Sequence, residues 1–115
     1  TQLFLENDHY YRFVDRVKAA GIVSPILPGI MTATKLSNLE RMAAMCGVEI
    51  PGRFRKATST CAIDNPVCEE TVKYTVGQIN HLIKNGVRAV HLYTMNKVEQ
   101  NKRIYYESEI SKIRG

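Results

Sequence analysis

No stretch of this sequence approaches the ~20 consecutive apolar residues that a membrane helix needs, so no bilayer partner is expected. The first residues, Thr1-Gln2-Leu3-Phe4-Leu5, lack an initiator methionine, a basic leader and a small-residue cleavage site, and read as a chain that begins mid-protein. Cysteine is scarce. Cys46, Cys61 and Cys68 cannot all pair within one chain, which excludes a secreted disulfide scaffold. They also lack the close pairing of a zinc knuckle, and no histidine stands at ligand spacing beside them, so no metal site is expected. They are read as buried or half-buried thiols in a reducing cytoplasm, and nothing marks one of them as a nucleophile. Low-complexity tracts are missing, and 44% hydrophobic with 23% charged residues is an ordinary globular balance that argues against disorder.

What the sequence does have is a basic excess, 16 Lys+Arg against 11 Asp+Glu in 115 residues. Lys and Arg bind nucleic acid by releasing counterions from phosphates, which needs them gathered on one surface. Here they are spread and interleaved with acids, as in Asp15-Arg16 and Glu40-Arg41. Only Arg53-Phe54-Arg55-Lys56 forms a local cluster, read as a solvated face or a site for a small anion. No nucleic-acid partner is expected.

Apolar spacing divides the chain into strands and helices. Gln2 to Leu5 reads as a short strand. Asn7 or Asp8 then caps a helix with Tyr10, Phe13, Val14 and Val17 on one face, closed by Gly21. Residues 22–31 read as a strand ending in an irregular turn at Pro28-Gly29. Ser37-Asn38-Leu39-Glu40 has the form of a capping box, opening a helix that Gly47 stops. A basic, less regular segment follows, then a polar loop over residues 57–66. A long helix is predicted over residues 67–85, with Val72, Val76, Ile79 and Ile83 on its apolar face. Residues 87–95 read as the clearest strand, and a polar helix begins near Lys97. Near-continuous apolar strands alternating with helices are the mark of right-handed βαβ crossovers in a parallel sheet. Three strands are few for a complete sheet, so the chain reads as a single partial domain, residues 1–115, from a β/α barrel or a doubly wound fold.

In such folds chemistry collects where loops leave the C-terminal ends of strands. Gln2 offers an amide that can donate and accept toward a planar heterocycle. Gly29 permits close approach of a ligand or another backbone. The segment Leu92-Tyr93-Thr94-Met95-Asn96-Lys97 brings a phenol, a hydroxyl, an amide and an ammonium together in six residues.

Thr1-Gln2-Leu3-Phe4, Phe13 and Asp15, Ile26-Leu27-Pro28-Gly29-Ile30-Met31, and His91-Leu92-Tyr93-Thr94-Met95-Asn96, in this order and at these separations, resemble the C-terminal third of the methylenetetrahydrofolate reductase family. The resemblance implies a (β/α)8 TIM barrel, of which this chain carries the end of strand six and strands seven and eight with their helices. It implies FAD reduced by NADH or NADPH, and hydride passed from the flavin to methylenetetrahydrofolate, giving 5-methyltetrahydrofolate for methionine synthesis. By position, Gln2 matches a glutamine that hydrogen-bonds the pterin, and Tyr93 and Lys97 match a tyrosine and an arginine associated with the folate. Asn38 falls at a further substrate-contacting position, often an amide. Met42 stands where some members carry a phenylalanine that packs on the ligand. Lys97 in place of arginine presents a point charge instead of a bidentate fork. Thr32 replaces a frequent proline. The family's acidic proton-transfer residue and most FAD contacts match nothing in this chain, so no catalytic or cofactor-binding residue is assigned, and the isolated chain is expected to be inactive. The alternative is a non-catalytic barrel remnant, covering its exposed edges by self-association or by a partner protein, or binding a small anion.

Overall fold

The computed structural model describes residues 1–62 and 64–113. In chain order it contains α1 (Asn7–Ala19), β1 (Gly29–Met31), α2 (Leu36–Cys46), α3 (Gly52–Ser59), α4 (Glu69–Lys84), β2 (His91–Tyr93), α5 (Val98–Glu107) and a 3-10 turn (Glu109–Lys112). β1 and β2 run parallel, with Gly29, Ile30 and Met31 opposite His91, Leu92 and Tyr93. Leu3 makes a single parallel bridge to Gly29, from which β1 also pairs with β2. The strand-like segments thus lie in the order Leu3, β1, β2, joined by helical crossovers, as the apolar alternation predicts.

Two apolar layers hold these segments. Ile30 and Phe4 pack with Tyr10 of α1, with Val72, Ile79 and Leu82 of α4, and with Ile104 of α5. Leu3, Leu5 and Met31 pack instead with Leu39 of α2 and Phe54 of α3. Successive strand residues point to opposite faces, so one short segment serves both layers. The α4 stripe behaves as its spacing requires: Val72 and Ile79 are buried, while Val76 and Ile83 cover the edge of the same cluster. Gly21, Gly47 and Gly86 follow their helices with positive φ, the C-terminal arrangement that glycine favours. Phe13, expected on the buried face of α1, is nearly half exposed.

Four local expectations are corrected. The strand expected across residues 22–31 is only Gly29–Met31; Pro28 has no N–H to donate, so the ladder starts where the prediction placed an interruption. The capping box at Ser37 is not used. Leu36, packed against the second layer, draws the first turn of α2 back, so Lys35 is the N-cap and has no side-chain cap bond. The basic segment is a helix, α3, because Phe54 is wholly buried and stacks on Tyr74 with ring centroids 4.5 Å apart. Finally, Cys61 and Cys68 are not thiols. α3 ends in a turn that returns Cys61 to the start of α4, where the two form a disulfide with Cα atoms 5.1 Å apart. Cys46 remains a free, half-buried thiol. Within the expected loop over residues 57–66, Ile63 lies outside the described residues.

Among the described residues no helix is long and apolar enough to cross a membrane. The basic cluster is also partly occupied by structure. Arg55 pairs with Glu40 at 3.2 Å, and the Arg53 guanidinium lies 6.0 Å from the Tyr74 ring centroid.

Candidate functional site

Beyond β1 the chain continues through Thr32, Ala33 and Thr34 into α2; beyond β2 it continues through Thr94, Met95, Asn96 and Lys97 into α5. These two loops meet. Lys97 Nζ donates to Thr34 Oγ1 at 3.0 Å. Asn38 and Met42, four residues apart, share one face of α2 and are both half-buried. Met42 and Tyr93 pack against the same apolar layer.

Tyr93 closes the strand end differently. Its hydroxyl donates to the Thr1 carbonyl at 2.8 Å, reaching across β1 to the segment that precedes Leu3. Gly29 makes this crossing possible: an added Cβ would lie 2.5 Å from the Thr1 carbonyl oxygen, 2.8 Å from Tyr93 Cε2 and 3.2 Å from the Gln2 carbonyl oxygen. Its smallness serves strand packing, not ligand approach. Gln2 itself is exposed and borders a shallow cavity of about 340 Å³ with Phe4, His9, Tyr10 and Phe13. Backbone packing therefore brings Gln2 beside Gly29 and Tyr93. Lys97 reaches the loop before α2, and Asn38 and Met42 lie on α2 itself.

The turn before α5 is strained. Met95 and Asn96 both adopt positive φ, at 49° and 60°. Asparagine tolerates that region, whereas methionine pays for it. Asn101 fixes the turn by donating Nδ2 to the carbonyls of Thr94 (3.1 Å) and Lys97 (2.8 Å). Strain held by surrounding bonds gathers at functional sites, and here it sets the position from which Lys97 projects.

Beneath the two loops lies a buried polar network that spacing does not reveal. Gln100 of α5 is fully buried. Its Nε2 donates to Thr71 Oγ1 at 2.8 Å and Thr32 Oγ1 at 3.0 Å, while its Oε1 accepts the Cys68 N–H at 2.8 Å. The Thr71 hydroxyl donates to the Ala33 carbonyl at 2.6 Å, and that of Thr75 donates to Thr32 at 3.3 Å. In sequence, Gln100 looks like one more polar residue of a solvated helix. The only hint is its place three residues after Lys97.

Charge shifts lie away from these loops. Hydrogen bonds from Arg103 hold the exposed Glu69 carboxyl below its ordinary range, and burial pushes the Tyr74 phenol up. Among the described residues no group of three or more His, Cys, Asp or Glu is arranged to hold a metal ion.

The sequence model of a family described as methylenetetrahydrofolate reductase matches residues 1–109. This chain belongs to that family. Methylenetetrahydrofolate reductase 1 of Schizosaccharomyces pombe is 37% identical over 105 residues, covering 90% of the chain and 17% of that protein. Methylenetetrahydrofolate reductase (NADH) 1 of Arabidopsis thaliana is 31% identical over 97 residues, covering 84% of the chain and 16% of that protein. The 5,10-methylenetetrahydrofolate reductase of Pectobacterium carotovorum subsp. carotovorum is 32% identical over 102 residues, covering 86% of the chain and 34% of that protein. The chain thus spans from about a sixth to a third of the length of these methylenetetrahydrofolate reductases, and each match takes in most of the parallel α/β segment described above.

Proposed function

We propose that this chain forms the folate-facing wall of a flavin-dependent (β/α)8 barrel, supplying the end of strand six and strands seven and eight to an enzyme that reduces methylenetetrahydrofolate with NAD(P)H. The observation that carries the reading is the meeting of the two post-strand loops. The ammonium of Lys97 reaches Thr34 in the loop before α2, the helix that carries Asn38 and Met42, and Met42 packs on the same apolar layer as Tyr93, in a chain of this family. Such a group suits a flat heterocycle joined to an anionic tail. The amide orients the ring, the thioether packs on it, and the ammonium takes a carboxylate. Gln2, with its backbone against Gly29 and its side chain exposed, takes the pterin edge when the neighbouring barrel strands are present.

The described residues do not fit FAD. Gly29, where a Cβ would meet its neighbours, is filled by Thr1 and Tyr93, and the other described glycines have nothing within 4 Å of that position. No step is derived through the flavin. In this reading it is held by barrel segments that match nothing here, and it supplies the hydride when bound. The chain by itself is then inactive, and its place is the cytoplasm, where one-carbon units are reduced for methionine synthesis.

Grafting residues 1–113 into the corresponding position of the S. pombe relative tests the reading. Lys97→Ala and Gln2→Ala are expected to slow flavin reoxidation by methylenetetrahydrofolate about tenfold, the loss of a charge-assisted hydrogen bond at Lys97 and of an amide hydrogen bond at Gln2, while flavin reduction by NAD(P)H is unchanged. Reoxidation at the parent rate in a folded, flavin-loaded graft refutes it.

A second reading is favoured by the sheet itself. Among the described residues β2 pairs only with β1, and Val23 is 95% exposed with Met45 and Tyr106 also open. A non-catalytic module would cover these surfaces with another chain. Sedimentation of the 115-residue chain as a stable monomer counts against it.

A further inference from the structure

The disulfide plays no part in the folate reading, yet it stands at one end of the buried network that supports the Lys97 loop. Cys68 is the buried N-cap residue of α4, and Cys61 is half-exposed beside it. The Cys68 N–H bonds to Gln100 Oε1. The other end of the same amide holds Thr32 and, through Thr71, the Ala33 carbonyl. The next residue, Thr34, receives the Lys97 ammonium. One fully buried side chain therefore separates the cysteine pair from the loop that positions Lys97.

We infer that Cys61 and Cys68 form a thiol–disulfide exchange site, with a dithiol as the redox partner, and that Gln100 relays the state of the pair to Lys97. The consequence for ligand binding rests on the folate reading; the exchange and the relay do not. In the reducing direction a thiolate of the dithiol attacks Sγ of Cys61, the more accessible sulfur. The Cys61–Cys68 bond breaks as the mixed disulfide forms, and Cys68 leaves as a thiolate that takes a proton. The second thiol of the partner, as thiolate, then attacks its own sulfur in the mixed disulfide. This expels Cys61 as a thiolate, which is protonated, and leaves the partner as a disulfide. Two electrons pass from the dithiol to the protein, and the reverse sequence oxidises the pair.

The relay has a physical basis in the start of α4. No side chain caps that helix, so the cross-link is the covalent element fixing Cys68 against Gln100. Without it the segment before Glu69, the residue that Arg103 ties to α5, is free to move, and the amide of Gln100 loses a fixed partner on one side. Its grip on Thr32 and Thr71 loosens, and with it the seat of Lys97.

The test equilibrates the whole chain in graded mixtures of reduced and oxidised dithiothreitol, traps free thiols with N-ethylmaleimide and counts the adducts by mass. In each mixture, before trapping, the acetylation rate of Lys97 is read by peptide mapping. Cys61 and Cys68 are expected to become reactive together in one reversible transition, with Cys46 as the reference. Lys97 is expected to label at least ~5-fold faster in the reduced state, the lower end of ordinary coupling between sites. Gln100→Met should abolish the dependence of Lys97 on the redox state, and Cys61→Ser should give the fast rate throughout. Should Gln100→Met fail to fold, the titration of the unaltered chain decides alone. Thiols that stay open in the fully oxidising mixture overturn the site, and equal Lys97 rates in the two states overturn the relay. If Lys97→Ala leaves folate-dependent reoxidation of the graft intact while Lys97 labelling still follows the dithiol, the folate reading falls and this one stands.

Discussion

Gly29→Ala isolates the tightest contact in the sheet. Gly29 does not have a positive φ, so alanine meets no backbone penalty there, and the whole effect is steric. The new methyl would sit 2.5 Å from the Thr1 carbonyl oxygen and 2.8 Å from Tyr93 Cε2, whereas ordinary contact begins at 3.4 Å. The backbone oxygen is short of that by almost an ångström, and the Tyr93 ring cannot swing away without breaking its 2.8 Å bond to the same Thr1 carbonyl. Two of the three parallel segments must therefore separate, with a cost of about 1–3 kcal/mol, the range for overpacking a filled site. Gly77→Ala is the internal control. It lies within α4 with nothing within 4 Å of its added Cβ, so replacing a helical glycine should stabilise by about 0.5–1 kcal/mol. Urea unfolding followed by circular dichroism gives both numbers. The contrast in sign is the test. If Gly29→Ala unfolds at the parental midpoint while Gly77→Ala shifts upward, the close crossing of Thr1, Gly29 and Tyr93 does not exist in solution.

Phe54→Ala removes a fully buried ring stacked on Tyr74 and should cost about 3–5 kcal/mol in the same urea experiment; a loss below 1 kcal/mol would mean that α3 is not packed as described. Glu69 is held below its ordinary pKa by Arg103, so its contribution is present above the unfolded value and disappears as pH falls through the folded one. Carbon-detected NMR titration should place the Glu69 midpoint below the ordinary glutamate value, and Arg103→Met should raise it. Thr34→Val removes the oxygen that receives Lys97 and leaves the fold intact. Acetylation of Lys97 should then quicken several-fold, and an unchanged rate would show that the 3.0 Å bond does not hold the ammonium.

The helices were the readable part of the fold because each writes its face into spacing. Val72, Val76, Ile79 and Ile83 announce α4, and the glycines after α1, α2 and α4 announce where those helices stop. Strand extents were not readable. Residues 22–31 and 87–95 are mostly apolar, but only three residues of each form a strand, and pairing depends on which segments lie alongside. α3 was missed for a different reason. One buried aromatic, Phe54, carries much of its packing, and a single anchor leaves no period in a sequence dominated by Arg53, Arg55 and Lys56.

The site divides in the same way. Tyr93 and Lys97 stand out in sequence because they lie at and just past the end of an apolar strand, whereas Asn38 and Met42 are singled out by the family resemblance alone. What holds them in place is not legible: Gln100, Thr71, Thr75 and Asn101 stand on helices most of whose other polar residues face water, and burial alone distinguishes them. The partners of Gln100 lie 29 to 68 residues away, and Thr71 reaches Ala33 at a separation of 38, so no local pattern encodes the network. The disulfide belongs to this hidden class as well, since its two cysteines become neighbours only after α3 turns back toward α4. The side chains proposed to face the ligand thus occupy loop, strand-end and helix positions, while the residues that hold those loops are buried amides and hydroxyls, of which Gln100 and Thr71 bond to several partners each. Substitutions in the first group should change what the wall binds and leave it standing. Substitutions in the second should loosen Lys97 without touching a ligand, because a buried amide that loses one partner leaves the others under-bonded as well.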